Sequence, residues 1–185
     1  MSPGISSRLP YDHLPSLSLY LEEDLPSLVS LYMDLHAHPE LSGHEVRTSE
    51  IIAGEMETAG FRAVKGIGGH GVVGVLVNGE GPVVMIRADM DALPLEEATG
   101  LPYASRERGT TPDGKEVGIM HACGHDLHST VLVGTAHLLS RIRGEWSGTV
   151  VLVAQPSEET VSGAQRMIQD GLYTRFPRPD CALSL

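Results

Sequence analysis

The run PVVMIRA at positions 82–88, which ends in Asp89-Met90-Asp91, is apolar at almost every position before it breaks into carboxylates. A strand wetted on one face alternates apolar and polar residues, whereas a strand covered on both faces does not. This stretch therefore predicts a strand inside a sheet with a layer on each side. Upstream, segments 61–65 and 72–77 are also β-rich, set apart by glycine-rich turns, and Asn78-Gly79 is a strong hairpin signal. Further upstream, Leu21, Leu25, Leu28, Val29, Tyr32 and Leu35 recur at helical spacing up to Pro39. A second helix follows Ser42-Gly43, with Val46, Ile52, Ala53, Met56 and Ala59 as its apolar face and Gly60 just past its end.

Downstream, 109–118 is a polar turn or loop. A helix is expected over about 126–143, with Leu127, Val131, Leu138 and Ile142 on one face. Then come a strand at 149–154, a helix at about 160–170 ended by Gly171, and a last strand at 180–185. Strands alternating with helices give an α/β fold, a mixed β-sheet flanked by helices, in which functional groups lie beyond the carboxyl ends of the strands.

The chain has 185 residues, 41% hydrophobic and 20% charged, which suits one folded domain with a real core. Its net charge of −11 opposes binding to nucleic acid or to an anionic membrane surface, and neither is expected as a partner. The longest uninterrupted apolar stretch, 150–154, is far short of a membrane span. The first fifteen residues, MSPGISSRLPYDHLP, lack a secretory pattern, so a cytoplasmic location is expected. Two cysteines do not make a disulfide framework.

Two motif-like strings fail on context. GIGGHG at 66–71 matches a dinucleotide fingerprint but leads into a strand pattern rather than a helix, so it reads as a turn. His44-Glu45 opens a zinc-protease HExxH string, yet Thr48 stands where the second histidine belongs.

MHACGHD at 120–126 is different. It places Cys123 between His121 and His125 at the start of a helix, with His128 close by, and thiolate plus imidazole suits a transition metal better than calcium or magnesium. Asp126 is placed to accept from a histidine and orient it. Glu158 and Glu159 emerge just after the apolar strand TVVLVA, where one carboxylate can ligate while the other holds a water. Asp89 and Asp91, two positions apart, share a face if the strand continues.

Four motifs in this order, LHAHPELSGHE (35–45), IRADMDALPLEE (86–97), MHACGHDLHST (120–130) and AQPSEE (154–159), resemble the M20 family of metal-dependent amidohydrolases. The resemblance is to its aminoacylase, hippurate hydrolase and indole-acetyl-amino-acid hydrolase branch. It implies the N-terminal part of a zinc-peptidase-like catalytic domain over 24–185, preceded by an extension and helix start at 1–23. By the same resemblance Cys123 is a bridging thiolate of a two-metal site, His125 and Glu159 are ligands, and Glu158 is the general base. Asp89, Asp91, His121 and Asp126 would support the ligands from behind. The implied reaction is hydrolysis of the amide of an N-acyl amino acid, with two divalent ions (Mn2+, Zn2+, Co2+ or Ni2+) polarising the carbonyl and acidifying a shared water.

The sequence departs from the branch at Tyr32-Met33, at Leu127 and at Thr160-Val161-Ser162-Gly163, and none of these removes a ligand. The family's next ligand histidine would follow Leu185, and its last ligand histidine and inserted lid or dimerisation domain would lie further on. The expectation is therefore a truncated domain with weak or no activity of its own, a homodimer remaining open. Two other readings compete: a non-catalytic metal-binding remnant or interaction protein, and a cysteine hydrolase in which Cys123 attacks directly. The latter fits poorly, since His121 and His125 flank the thiol too closely in sequence to reach its attack line.

Overall fold

The computed structural model describes residues 14–185. The start of the N-terminal extension, 1–13, lies outside the described residues. Helix α1 (Leu14–Ala37) continues unbroken across the boundary expected at 23/24, and α2 (Val46–Thr58) is followed by Gly60 at φ +84°. Strands β1 (Arg62–Ile67), β2 (Gly71–Asn78) and β3 (Val83–Asp89) follow. Next are the short pair β4 (Arg108–Thr110) and β5 (Glu116–Gly118), then α3 (His125–Arg141) and β6 (Gly148–Gln155). The chain closes with α4 (Gly163–Gln169), α5 (Leu172–Arg175) and β7 (Cys181–Ser184).

The main sheet has the order β1-β2-β6-β3-β7. β2 runs antiparallel to both of its neighbours, β1 and β6, whereas β3 is parallel to both β6 and β7. Alternate residues of the central strands feed two cores. Val72, Leu76, Ala88, Leu152 and Ala154 face α2 and α3 with Ile52, Met56, Leu132 and Val133. Val73, Val75, Met85, Val151 and Val153 face Met167, Leu172 and Phe176 of the α4–α5 layer. The sheet is thus mixed, and its strands β2 and β6 are covered on both sides.

Several local expectations differ from the structure. Asn78-Gly79 does not close a β2–β3 hairpin, because β6 inserts between those strands. Asn78 Nδ2 instead donates to the carbonyls of Arg143 (2.8 Å) and Trp146 (2.6 Å), tying the turn to the approach of β6. The hairpin is β1–β2, turned by the glycines of GIGGHG, of which Gly66, Gly68 and Gly69 have positive φ.

The segment read as a loop at 109–118 contains the β4–β5 hairpin. On α3, Leu127 and Val131 are 52% and 42% exposed, and the buried face is instead Ser129, Leu132, Val133 and Ala136. Small and hydroxyl-bearing residues let α3 lie close to the sheet, and a pattern of large apolar residues does not mark such a face. Val46 is likewise exposed, although the rest of its predicted face is buried. The strand read from PVVMIRA is only partly covered, since its outer neighbour β7 is exposed along its length.

Candidate metal centre

β3 and β6 are adjacent and parallel, and their last residues, Asp89 and Gln155, are register partners. Whatever follows the two strands therefore emerges side by side. After β3 the chain stays extended, pinned by Ala92 N–H to the Glu40 carbonyl (2.8 Å) and by reciprocal bonds between Leu93 and Met120 (3.0 and 3.1 Å). This brings Asp91 against the start of α3 and beneath the turn after β6. Asp91 is buried and accepts from Ser42 Oγ (2.5 Å) and from the backbone N–H groups of Glu158 (3.0 Å) and Glu159 (3.1 Å). Burial opposes its charge, but the His125 ring, Ser42 and the two amides prevail and hold its pKa below the usual value.

His125, the first residue of α3, is buried, and its Nδ1–H donates to the Asp91 carbonyl at 2.8 Å. A carbonyl can only accept, so the proton is fixed on Nδ1 and the Nε2 lone pair faces outward. That Nε2 lies 3.5 Å from Asp89 Oδ1, 3.9 Å from Glu158 Oε2 and 3.9 Å from Glu159 Oε1. Burial disfavours the imidazolium, yet Asp91 and Asp89 outweigh it and raise the pKa of His125. Glu159 Oε1 is buried and has no hydrogen-bond partner. An orphaned carboxylate oxygen facing an imidazole lone pair at this separation leaves room for a shared cation, so the donors fit a divalent ion.

Two donor groups share His125: one with Glu158 and Glu159, the other with Asp89 and His128. His128 donates from Nδ1 to Asp89 Oδ1 (2.7 Å), and its ring stacks on that of His125 with centroids 5.6 Å apart. Arg87 holds the other Asp89 oxygen at 2.8 Å. Cys123 is exposed and belongs to neither group; its thiol donates to Glu159, which together with burial pushes its pKa up to about 11.

Asp126 turns away from the ligands and accepts from His36 Nδ1 at 2.6 Å. His36 Nε2 faces Glu97 Oε1 at 3.1 Å, and Tyr32 and Tyr103 pack around the ring. His121 is buried with both ring nitrogens unpartnered, and burial drives its pKa down to about 4. Sequence reading brought Asp89, Asp91, His125, Glu158 and Glu159 to one place, and the structure joins them. It missed Ser42, Glu45 and His36, whose partners lie 49, 112 and 90 positions away.

Residues 85–185 match the family described as peptidase family M20/M25/M40. The chain belongs to this family. It is similar to the N-acetylcysteine deacetylase of Bacillus subtilis, 41% identical over 147 residues, covering 78% of this chain and 36% of that protein. It is 41% identical over 143 residues to the hippurate hydrolase of Campylobacter jejuni, covering 77% of this chain and 34% of that protein. Among solved structures it resembles the Bacillus subtilis YXEP protein, a dinuclear metal-binding peptidase from the M20 family, with TM-score 0.72 and 38% identity over 82% of this chain and 40% of that one. The M20 chain described here spans about a third of the length of these curated relatives. M20 membership makes it part of a hydrolase family, and the mixed sheet carrying the donors is the M20 catalytic-domain fold. No helix among the described residues is long and apolar enough to cross a membrane.

Proposed function

We propose that the chain carries the metal-binding and proton-transfer half of an amidohydrolase acting on N-acyl amino acids. The observation that supports this most is His125 Nε2, freed by the Nδ1–H bond to Asp91 and set 3.9 Å from both Glu158 and Glu159. Bound divalent ions, Mn2+, Zn2+, Co2+ or Ni2+, supply Lewis-acid polarisation of the amide carbonyl and acidify the attacking water. His125 and Glu159 would hold the metal, and Cys123, whose thiol borders Glu159, would be a further donor as the thiolate. Glu158, the more exposed of the pair, takes the proton of the water and returns it to the leaving amine. Asp91 keeps both glutamates aimed by gripping their amides.

A cleft of about 590 Å3, walled by Leu41, Ala92, Leu93, Pro94 and Pro112 with Glu159 at its edge, suits the apolar part of the substrate. The deacetylase and hydrolase names of the two relatives agree with this reading.

A second reading, an ion held without turnover, has one observation in its favour. Both donor groups include His125, whose Nε2 faces Asp89 at 3.5 Å and Glu158 and Glu159 at 3.9 Å and can serve only one ion at a time. Hydrolysis of N-acetyl and N-benzoyl amino acids with added Mn2+, Co2+ or Zn2+ separates the two. Turnover that vanishes with chelator and falls about 100-fold or more in Glu158→Gln supports the hydrolase. Metal binding without turnover supports the second reading, and turnover indifferent to chelator contradicts both.

A further inference from the structure

We propose that Glu45 is a positioning residue that sets the aim of the Glu158–Glu159 pair through the backbone of Ser157, an inference that rests on the pair's proposed role at the metal. Glu45 stands immediately before α2, fully buried, yet its side chain makes no capping bond to that helix. Its carboxylate reaches across the fold instead, where Oε1 accepts from Ser157 N–H at 2.7 Å and from Ser157 Oγ–H at 3.2 Å.

Ser157 needs such a hold. It is fully buried and has φ +53°, in the left-handed region that non-glycine residues avoid. The reversed backbone turns the chain sharply at the end of β6 and throws the next two side chains toward His125. The rest of the turn closes on the same residue, since the Ser157 carbonyl accepts from Ser162 N–H (3.2 Å), Gly163 N–H (3.1 Å) and Thr160 Oγ1 (3.2 Å). Three successive amides, those of Ser157, Glu158 and Glu159, thus each donate to a buried carboxylate: Glu45 for the first, Asp91 for the other two. Glu45 and Asp91 come from different segments, so the aim of the pair is fixed from two directions.

A tether that merely joined α2 to β6 would depend on Glu45 whatever residue occupied position 157. A device that holds a strained residue would not, because glycine adopts the left-handed conformation unaided. The test is therefore Glu45→Ala alone and combined with Ser157→Gly, beside Glu45→Gln, which keeps an acceptor oxygen, and Glu57→Ala, an exposed control on the same helix. Two readouts apply to the full chain: the Co2+ dissociation constant from visible absorption, and the amide NMR signals of residues 157–159.

Glu45→Ala is expected to raise the Co2+ constant about tenfold or more, as loss of a ligand-orienting partner does. Glu45→Gln and Glu57→Ala should stay within about threefold of the unsubstituted chain, and the Glu45→Ala/Ser157→Gly chain should return to within about threefold. Unchanged amide signals and Co2+ affinity in folded Glu45→Ala would overturn the proposal, as would a double variant no better than Glu45→Ala. If Glu45→Ala does not fold, Glu45→Asp, one methylene too short to reach Ser157, takes its place with the same expectations. If the unsubstituted chain binds no Co2+, the metal reading of the pair fails. The Ser157 amide, protected from exchange in the unsubstituted chain and not in Glu45→Ala, then still decides the Glu45 hold.

Discussion

Asp91→Asn tests the architecture beneath the glutamate pair with almost no change in shape. In the native chain one carboxylate oxygen accepts the Glu158 amide and the other accepts the Glu159 amide and the Ser42 hydroxyl. An asparagine can present its oxygen to only one of these sides. With the oxygen toward Glu158, its NH2 faces the Glu159 N–H, donor against donor, while the Ser42 hydroxyl can rotate to accept. One charge-assisted bond is lost, worth about 1.5–3 kcal/mol, and a part-buried N–H is left unpaired at a further penalty of about 0.5–1 kcal/mol. The expected destabilisation is about 2–4 kcal/mol, enough to weaken a typical domain without unfolding it. Urea denaturation followed by the fluorescence of Trp146, the only tryptophan, measures it. With a slope of about 2 kcal/mol per molar urea the midpoint falls by about 1–2 M. A change below about 0.5 kcal/mol, the range of ordinary surface substitutions, would refute the claim that Asp91 carries these contacts.

Other parts of the fold give further expectations. Burial opposes charge on His36, but its bonds to Asp126 and Glu97 prevail and raise its pKa. Its contribution to stability is therefore complete below pH 6.5 and lost as pH rises through the folded value. Burial likewise opposes charge on Glu97, whose bonds to Thr99, Ser105 and His36 nevertheless lower its pKa, so its contribution is lost as pH falls through the folded value. Thermal unfolding across pH should show a maximum between these limits, with the alkaline decline flattened in His36→Gln; an unchanged decline would contradict the assignment. At Gly163 an added Cβ would sit 1.5 Å from the Pro156 carbonyl oxygen, so Gly163→Ala should destabilise by more than about 4 kcal/mol or fail to fold. Gly144→Ala, which meets nothing within 4 Å, should change stability by less than about 0.5 kcal/mol, and equal urea midpoints for the two variants would refute the clash. In the presence of chelator, Cys123 should alkylate slowly with iodoacetamide at neutral pH despite its exposure, because its bond to Glu159 keeps it a thiol with a pKa of about 11. Glu159→Gln should accelerate that reaction, and a rate already equal to that of free cysteine would count against the bond.

The layered α/β fold was legible because it is written in local pattern. The apolar runs that became β3 and β6, the glycine stops at Gly60 and Gly171, and the carboxylates following the two strands all report on neighbours in sequence. Strand order was not legible. The Asn78-Gly79 turn carries hairpin chemistry, but its side chain is satisfied by carbonyls more than sixty positions away, and β6 takes the place the hairpin would have given β3. The face of α3 was misread because close packing favours small residues over bulk: Ser129 and Ala136 are buried, and a Cβ on Gly134 would crowd Leu28 of α1 at 3.0 Å. At the site, residues on short contiguous motifs could be named. Those that hold them in place could not, since Glu45 and His36 act across 112 and 90 positions and nothing in their own surroundings distinguishes them.

His125 Nε2 and the orphaned Glu159 oxygen are the heart of the proposed cation site. Calorimetric titration of the purified chain with Co2+, repeated with Glu159→Gln, measures it. Saturable binding in the unsubstituted chain that weakens at least about tenfold in Glu159→Gln is the predicted result. Equal affinity in the two chains, or no binding in either, would contradict it.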